Sequence, residues 1–265
     1  MAFPDAERII YEKNPLEKVI CQLKFPSILK IETESPAEFQ ECIRSDYPFY
    51  KRTPAVKLPA GLPTELAALL TKDLPLEIAQ TAHEFGSRDE RWTLSLTQNF
   101  IALTCQSYDR WENFKDHLDR PLRALKELYA PACFTRIGLR YRDVIRRSVL
   151  GLDQIGWAEL LQPWVAGALA APEIAADVEH SAQELVVRLP DGRSRVRVHH
   201  GLAVDASSQE LCYVIDADFF DDQQVELSHV IECLDFLNRQ ARLFFRWCIT
   251  DLLHQAMRPQ PLSSH

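Results

Sequence analysis

The chain has 265 residues with a formal net charge of -8, and it is 46% hydrophobic and 26% charged. That length can bury a large core, and the composition excludes a disordered or fibrous chain. The acidic balance argues against a molecule that binds polyanions over its whole surface, although a local basic patch can persist within it.

Seven cysteines, Cys21, Cys42, Cys105, Cys133, Cys212, Cys233 and Cys248, lie in apolar or amphipathic segments at no metal-ligand spacing. Reduced, buried thiols in a cytoplasmic protein are expected. The first residues lack a basic region followed by an apolar run, and nothing approaches a membrane-spanning length, so neither a secretory signal nor a membrane partner is predicted.

In chain order, 1–15 are polar and end in the turn signal Asn14-Pro15. Alternation of Val19, Cys21, Leu23 and Phe25 with Lys18, Gln22 and Lys24 predicts a strand over 16–25, closed by Pro26. Ser35-Pro36 opens a helix with Phe39 and Ile43 on its apolar side. Pro48, Pro54, Pro59, Pro63 and Pro75 make 48–75 an extended insert, with at most a short helix over 64–72. Strands are predicted over 77–85, 91–98 and 100–106, with a hairpin turn at Gln98-Asn99. A helix over 110–128 follows, with Asp109 as its N-cap and Trp111, Phe114, Leu118, Leu122, Leu125 and Leu128 on one stripe.

The clearest strand runs over 133–146. Ile137, Leu139, Tyr141 and Ile145 fall on one face and Arg136, Arg140 and Arg142 on the other. A helix over 156–169, strands over 178–189, 193–202 and 210–219, and a final helix over 225–257 complete the pattern, with Pro190-Asp191-Gly192 as a tight turn. Residues 1–130 and 131–265 thus each read strand, helix, three strands, long helix. The expected fold is α+β, with duplicated β-α-β-β-β-α halves forming one curved antiparallel sheet with helices on one face. This looks like the saddle of the TATA-binding-protein-like folds, and a helix-grip arrangement is the alternative.

With the apolar residues turned to the helices, the opposite face carries Arg136, Arg140, Arg142, Arg193, Arg195, Arg197 and His199, together with Asp216 and Asp218. Arginine forks suit phosphate and carboxylate, and protein interfaces favour arginine over lysine. Arg136, Arg140, Arg142, Arg195, Arg197 and His199 are therefore the candidate binding residues, for a protein partner or a small anionic ligand. The bland reading is that Asp216, Asp218 and Glu184 cross-pair with these arginines on a solvated face. Nucleic acid is a further alternative, against which stands the scarcity of stacking aromatic residues on that face. Asp216-Ala-Asp218 resembles a metal-binding carboxylate pair, which would make the chain an enzyme acting on a nucleotide or phosphorylated substrate. No established catalytic motif occurs, and 8 glycines leave little material for a phosphate-cradling loop. Phe236, Phe245 and Trp247 widen the apolar arc of the last helix, which raises a homodimer through that helix.

Several segments carry a resemblance: Asn14-Pro15-Leu16-Glu17-Lys18-Val19, Gln22-Leu23-Lys24-Phe25-Pro26, Tyr47-Pro48, Trp92 through Leu103 with Tyr108 and Trp111, and Arg136-Ile137-Gly138-Leu139-Arg140-Tyr141-Arg142. Over nearly its whole length the chain resembles a sporadically distributed family of uncharacterised bacterial and archaeal proteins of the same length. In that family the arginine segment commonly continues as an Asn-containing strand, where this chain carries Arg142-Asp143. The resemblance implies no activity or cofactor, and its patchy distribution looks like that of accessory or defence-associated proteins. The expected function is a non-enzymatic binding or interaction module.

Overall fold

In the computed structural model, which describes residues 3–55 and 80–261, the first half holds β1 (Ile9–Tyr11), β2 (Leu16–Lys24), α1 (Leu29–Thr33), α2 (Ala37–Ile43), β3 (Phe49–Ala55), β4 (Gln80–Gly86), β5 (Trp92–Thr97), β6 (Phe100–Cys105) and α3 (Trp111–Tyr129). The second holds β7 (Arg136–Ile145), β8 (Ala182–Arg188), β9 (Arg195–Val204), β10 (Leu211–Asp221), α4 (Val230–Cys248), α5 (Asp251–Ala256) and β11 (Pro259–Pro261). Nine strands form one curved, unclosed antiparallel sheet in the order β3-β4-β5-β6-β2-β7-β10-β9-β8. The fold is the expected α+β saddle. Its centre is the antiparallel pair β2–β7, and each half adds strands outward from its own member of that pair.

Alternation dictates this arrangement. In β7, Ile137, Leu139, Tyr141 and Ile145 are buried, and the same parity in β2 buries Val19, Cys21 and Leu23. Helix α4 lies across β7 and β10 and buries Val230, Leu234, Leu237, Ala241, Phe244 and Cys248. Helix α3 packs against α2 and sets Phe114 beside Trp92 of β5, with ring centroids 5.5 Å apart. Most polar side chains of β7, β9 and β10 are left to the uncovered face of the sheet, with Asp143, His200 and Asp221 as buried exceptions. Among the described residues, no helix is long and apolar enough to cross a membrane.

Several expectations are corrected. The first half carries four strands after its helices, because Phe49–Ala55 pairs with β4. Pro54 is compatible with that strand because β3 lies at the sheet edge. The remainder of the insert, including the helix expected over 64–72, lies outside the described residues. The helix expected over 156–169 is broken into Trp157–Leu160, Pro163–Ala166 and a 3-10 turn, Gly167–Ala170. The helix expected over 225–257 is split into α4 and α5. One contact explains both breaks: Leu161 and Ile249 are extended and bridge each other, flanked by Gln162 N–H donating to Cys248 O at 2.9 Å and Thr250 N–H to Leu160 O at 3.0 Å. Arg110, rather than Asp109, is the N-cap of α3, and the Asp109 carboxylate instead accepts from Asn113 Nδ2 at 3.0 Å. Cys42 is exposed and Cys233 half-buried, while the other five thiols are buried and all seven are free.

At Gly201 in β9 the neighbouring backbone leaves no room for a side chain. A Cβ there would meet Ser181 O at 1.9 Å, at the entry to edge strand β8. Gly201→Ala is therefore expected to destabilise by about 2 kcal/mol, in the range of a steric clash at a packed position. The urea unfolding midpoint measures it, and an unchanged midpoint shows that β8 yields freely.

Candidate functional site

The open face gathers Arg136, Arg140, Arg142, Arg195 and Arg197 and places a carboxylate beside each, whereas Arg193 reaches Asp221, which shares the buried parity of Phe219 on β10. Arg140 reaches Asp216 with Nε and Nη2, both at 2.6 Å, and Arg136 reaches Asp218 at 2.6 Å. Arg142 lies 3.4 Å from Glu17, Arg195 3.0 Å from Asp222, and Arg197 and His199 are 3.6 Å and 3.8 Å from Glu184. The pairs are diagonal: Asp216 stands directly opposite Arg142, and Asp218 opposite Arg140. Arg136 also lies over the Phe220 ring, 5.0 Å from its centroid. Asp216 and Asp218, the weak metal alternative, thus each hold a guanidinium. Among the described residues no group of three or more His, Cys, Asp or Glu is disposed to hold a metal ion. His200 points the other way from His199: it is buried, with Nδ1 2.7 Å from the Tyr213 hydroxyl, and burial lowers its pKa.

The concave site lies on the other side of the sheet. A cavity of about 600 Å3 opens between the N-terminal segment, the far end of β7, the start of α3 and helices α4 and α5. That volume is within the range of small-ligand sites. Tyr11, Tyr108, Tyr141, Phe245 and Trp247 supply its aromatic wall, and Asp143 projects from β7 into it. Asp143 has the parity of Ile137, Leu139, Tyr141 and Ile145, so the strand turns it toward the helices. It is 7% exposed, and its carboxyl makes no hydrogen bond or ion pair with any described residue. Opposite it, the β2 ladder is irregular between Leu16 and Lys18, and the N–H of Val144 donates to Pro15 O at 2.8 Å. Irregular ladders of this kind often border functional sites.

The groups around Asp143 are tied down. Tyr141 donates its hydroxyl to Asn238 Oδ1 at 2.8 Å, and the Tyr11 hydroxyl lies 2.8 Å from His254 Nδ1. Arg242 donates to the carbonyls of Ala6 and Glu7, and Arg246 to Asp251 and the carbonyl of Ile249. Trp111 Nε1 and Lys115 share Asp235 Oδ1, which fixes the start of α3 against α4. β1 pairs with β11, so the two ends of the described chain are joined beside the cavity.

Burial, with the Asp216 charge as a lesser cause, pushes the Asp143 carboxyl up to about 8. At neutral pH it is a protonated donor rather than an anion. Burial likewise raises the phenol of Tyr11 and lowers His254, with Arg246 opposing the first shift and reinforcing the second. The site therefore joins an aromatic enclosure to a carboxyl able to donate or, once deprotonated, to accept.

The sequence reading placed recognition on the arginine face and missed this cavity. Its one signal was parity, since Asp143 is the single charged residue on the apolar register of β7. Phe245 and Trp247, read as a surplus on the last helix, are half-buried; Phe245 packs edge-on to Tyr11 and Trp247 stacks on Trp164 at 4.3 Å. No protein-family model matches the chain, and no curated protein matches it.

The raised pKa has a stability consequence. Between about pH 4 and pH 8 the native state holds the Asp143 proton that the unfolded chain has lost, so this group makes stability fall as pH rises through that window. Asp143→Asn cannot ionise. Its stability advantage over the wild type is expected to grow from pH 5 to pH 8.5, by at most about 1.4 kcal/mol per pH unit. Paired urea titrations at several pH values measure it, and a difference independent of pH contradicts the assignment.

Proposed function

We propose that the chain is a non-enzymatic binding protein whose small ligand occupies the cavity beside Asp143. The single observation that carries this reading is a buried carboxyl without a partner, facing a cavity of about 600 Å3 walled by aromatic side chains. A polar group turned toward a cavity has hydrogen-bonding capacity that a ligand can meet. The hydrogen bonds holding Tyr141, Tyr11, Arg242 and Arg246 make the walls rigid before a ligand arrives, which lowers the entropy cost of binding.

Native mass spectrometry of gently purified protein is the test. A retained small-molecule mass is expected in the wild type. It should be reduced in Ala241→Leu, which adds a branched side chain at the cavity wall on α4. An empty mass, together with no thermal stabilisation by any member of a chemically diverse small-molecule set, contradicts the reading.

The arginine face supports a second role, as a surface for a protein partner. Arg140, Arg142 and Arg197 keep 50%, 44% and 42% of their side-chain surface exposed while neighbouring carboxylates hold their forks. A free anion must displace those carboxylates, whereas a protein face of mixed charge can match the pattern as it stands; this favours a protein over a small anionic ligand or nucleic acid. An Arg140→Glu, Arg197→Glu double variant is expected to lose partner cross-links to this face while keeping the cavity adduct. Cross-links that persist unchanged contradict this role.

A further inference from the structure

We propose that the cavity selects a small planar organic cation, of the amidinium or guanidinium class, paired to the Asp143 carboxylate and packed against the aromatic wall. This rests on the binding reading above and goes further by naming the ligand's chemistry. The argument is one of elimination among charges. Of the cations bordering the cavity, Arg242 is held by two backbone carbonyls of the N-terminal segment and Arg246 by Asp251. Arg8 pairs with Glu112 at 2.6 Å, and Arg110 sits exposed at the rim. His254 is engaged with Tyr11. Among the described charged groups of the wall, Asp143 is the one that is both buried and unpaired, and in its ionised form the group it calls for is a cation.

The wall fits the same class. Tyr11 packs edge-on against Phe245, with centroids 6.1 Å apart, and Tyr108 meets Tyr141 in the same manner at 6.1 Å. Ring faces attract cations, most strongly where water is excluded. A planar amidinium can lie along such a wall and present two N–H donors to both oxygens of one carboxylate. Among the described residues no group of three or more His, Cys, Asp or Glu is disposed here to hold a metal ion.

Proton balance follows directly. The empty site holds Asp143 protonated at neutral pH, since its pKa lies at about 8. On binding, the carboxyl O–H bond breaks, the proton passes to solvent and the carboxylate pairs with the cation. The other titratable groups on the packed elements are Asp5, Glu7 and Tyr11 from the N-terminal segment, Tyr108 and Asp109 before α3, Tyr141 on β7 itself, and Asp251 and His254 of α5. Cys248 of α4 couples to Asp143, and its thiol is raised by burial. Tyr11, Tyr108 and Tyr141 are likewise raised, chiefly by burial, so they keep their protons across the range tested. His254 is lowered, chiefly by burial, and stays neutral above pH 7. Asp143 is left as the group that titrates near pH 8.

Isothermal titration with three isosteric probes, benzamidine, benzamide and benzoate, tests the proposal on the intact chain. Benzamidine is expected to bind at least tenfold more tightly than either of the others. Its affinity should rise about tenfold per pH unit from pH 6 to pH 8 and then level off, with one proton released per molecule bound below pH 8. Asp143→Asn should abolish both the preference and the pH slope. The wild-type pH profile tests the proposal even if that variant does not fold. Preferential binding of benzoate or benzamide overturns the ligand class and leaves the binding reading in place. Tight but pH-independent benzamidine binding overturns the role of Asp143. Failure of all three probes at millimolar concentration overturns the ligand class and counts against the binding reading as well.

Discussion

The two-residue period of β7 is the constraint on which the rest of the structure depends. The strand is paired on both sides, to β2 and to β10, so its register cannot slip without exchanging its two faces. One parity puts Arg136, Arg140 and Arg142 onto the open face. The other puts Ile137, Leu139, Tyr141 and Ile145 under α4, and Asp143 has to go with them. The arginine lattice and the buried carboxyl are therefore two results of one pairing, separated by the thickness of a single sheet.

Those two results differ in energetic weight. The open-face ion pairs sit in partial contact with water, where each contributes little net stability and salt weakens it further. Their arrangement is nonetheless ordered by strand: Glu184 on β8, Arg197 and His199 on β9, Asp216 and Asp218 on β10, and the arginines on β7. From β8 through β9 and β10 to β7 these charges alternate in sign, whereas on the other side of β7 Lys18 and Lys24 of β2 stand opposite Arg142 and Arg136. Charge complementarity of this kind favours these four strands as neighbours more than it adds to how strongly they hold. Asp143 is the opposite case: one group whose ionisation is opposed by burial, so that its cost to the native state grows as pH rises.

The cavity exists because the long helices do not cover the far end of β7 by themselves. The N-terminal segment crosses there, anchored by Arg242 to its backbone and by β1 to β11. Residues separated by more than 200 positions thereby meet at one site, as Tyr11 and His254 do. Binding proteins commonly place a site where several elements converge on a rigid sheet, because the sheet fixes one wall while the segments above it set the shape.

Local periodicity and turn chemistry were enough to read eight of the nine strands of the sheet, the presence of the two long helices, the hairpin at Gln98-Asn99 and the split of β7 into apolar and charged faces. These depend on the pleat and on the helical repeat, which act over a few residues. The same parity places Asp143 on the buried face, a consequence the sequence reading left undrawn, and the surroundings that give it chemistry come from α4 and the N-terminal segment, both distant along the chain. Tertiary pairing decided the remainder. Phe49–Ala55 is a strand because β4 offers it an edge, and the helices around Leu161 and Ile249 break because those two residues bridge each other. The open-face arginines were legible as a row, but whether each met water, a carboxylate or nothing depended on strand order, and strand order arises from contacts between distant segments that no local pattern encodes.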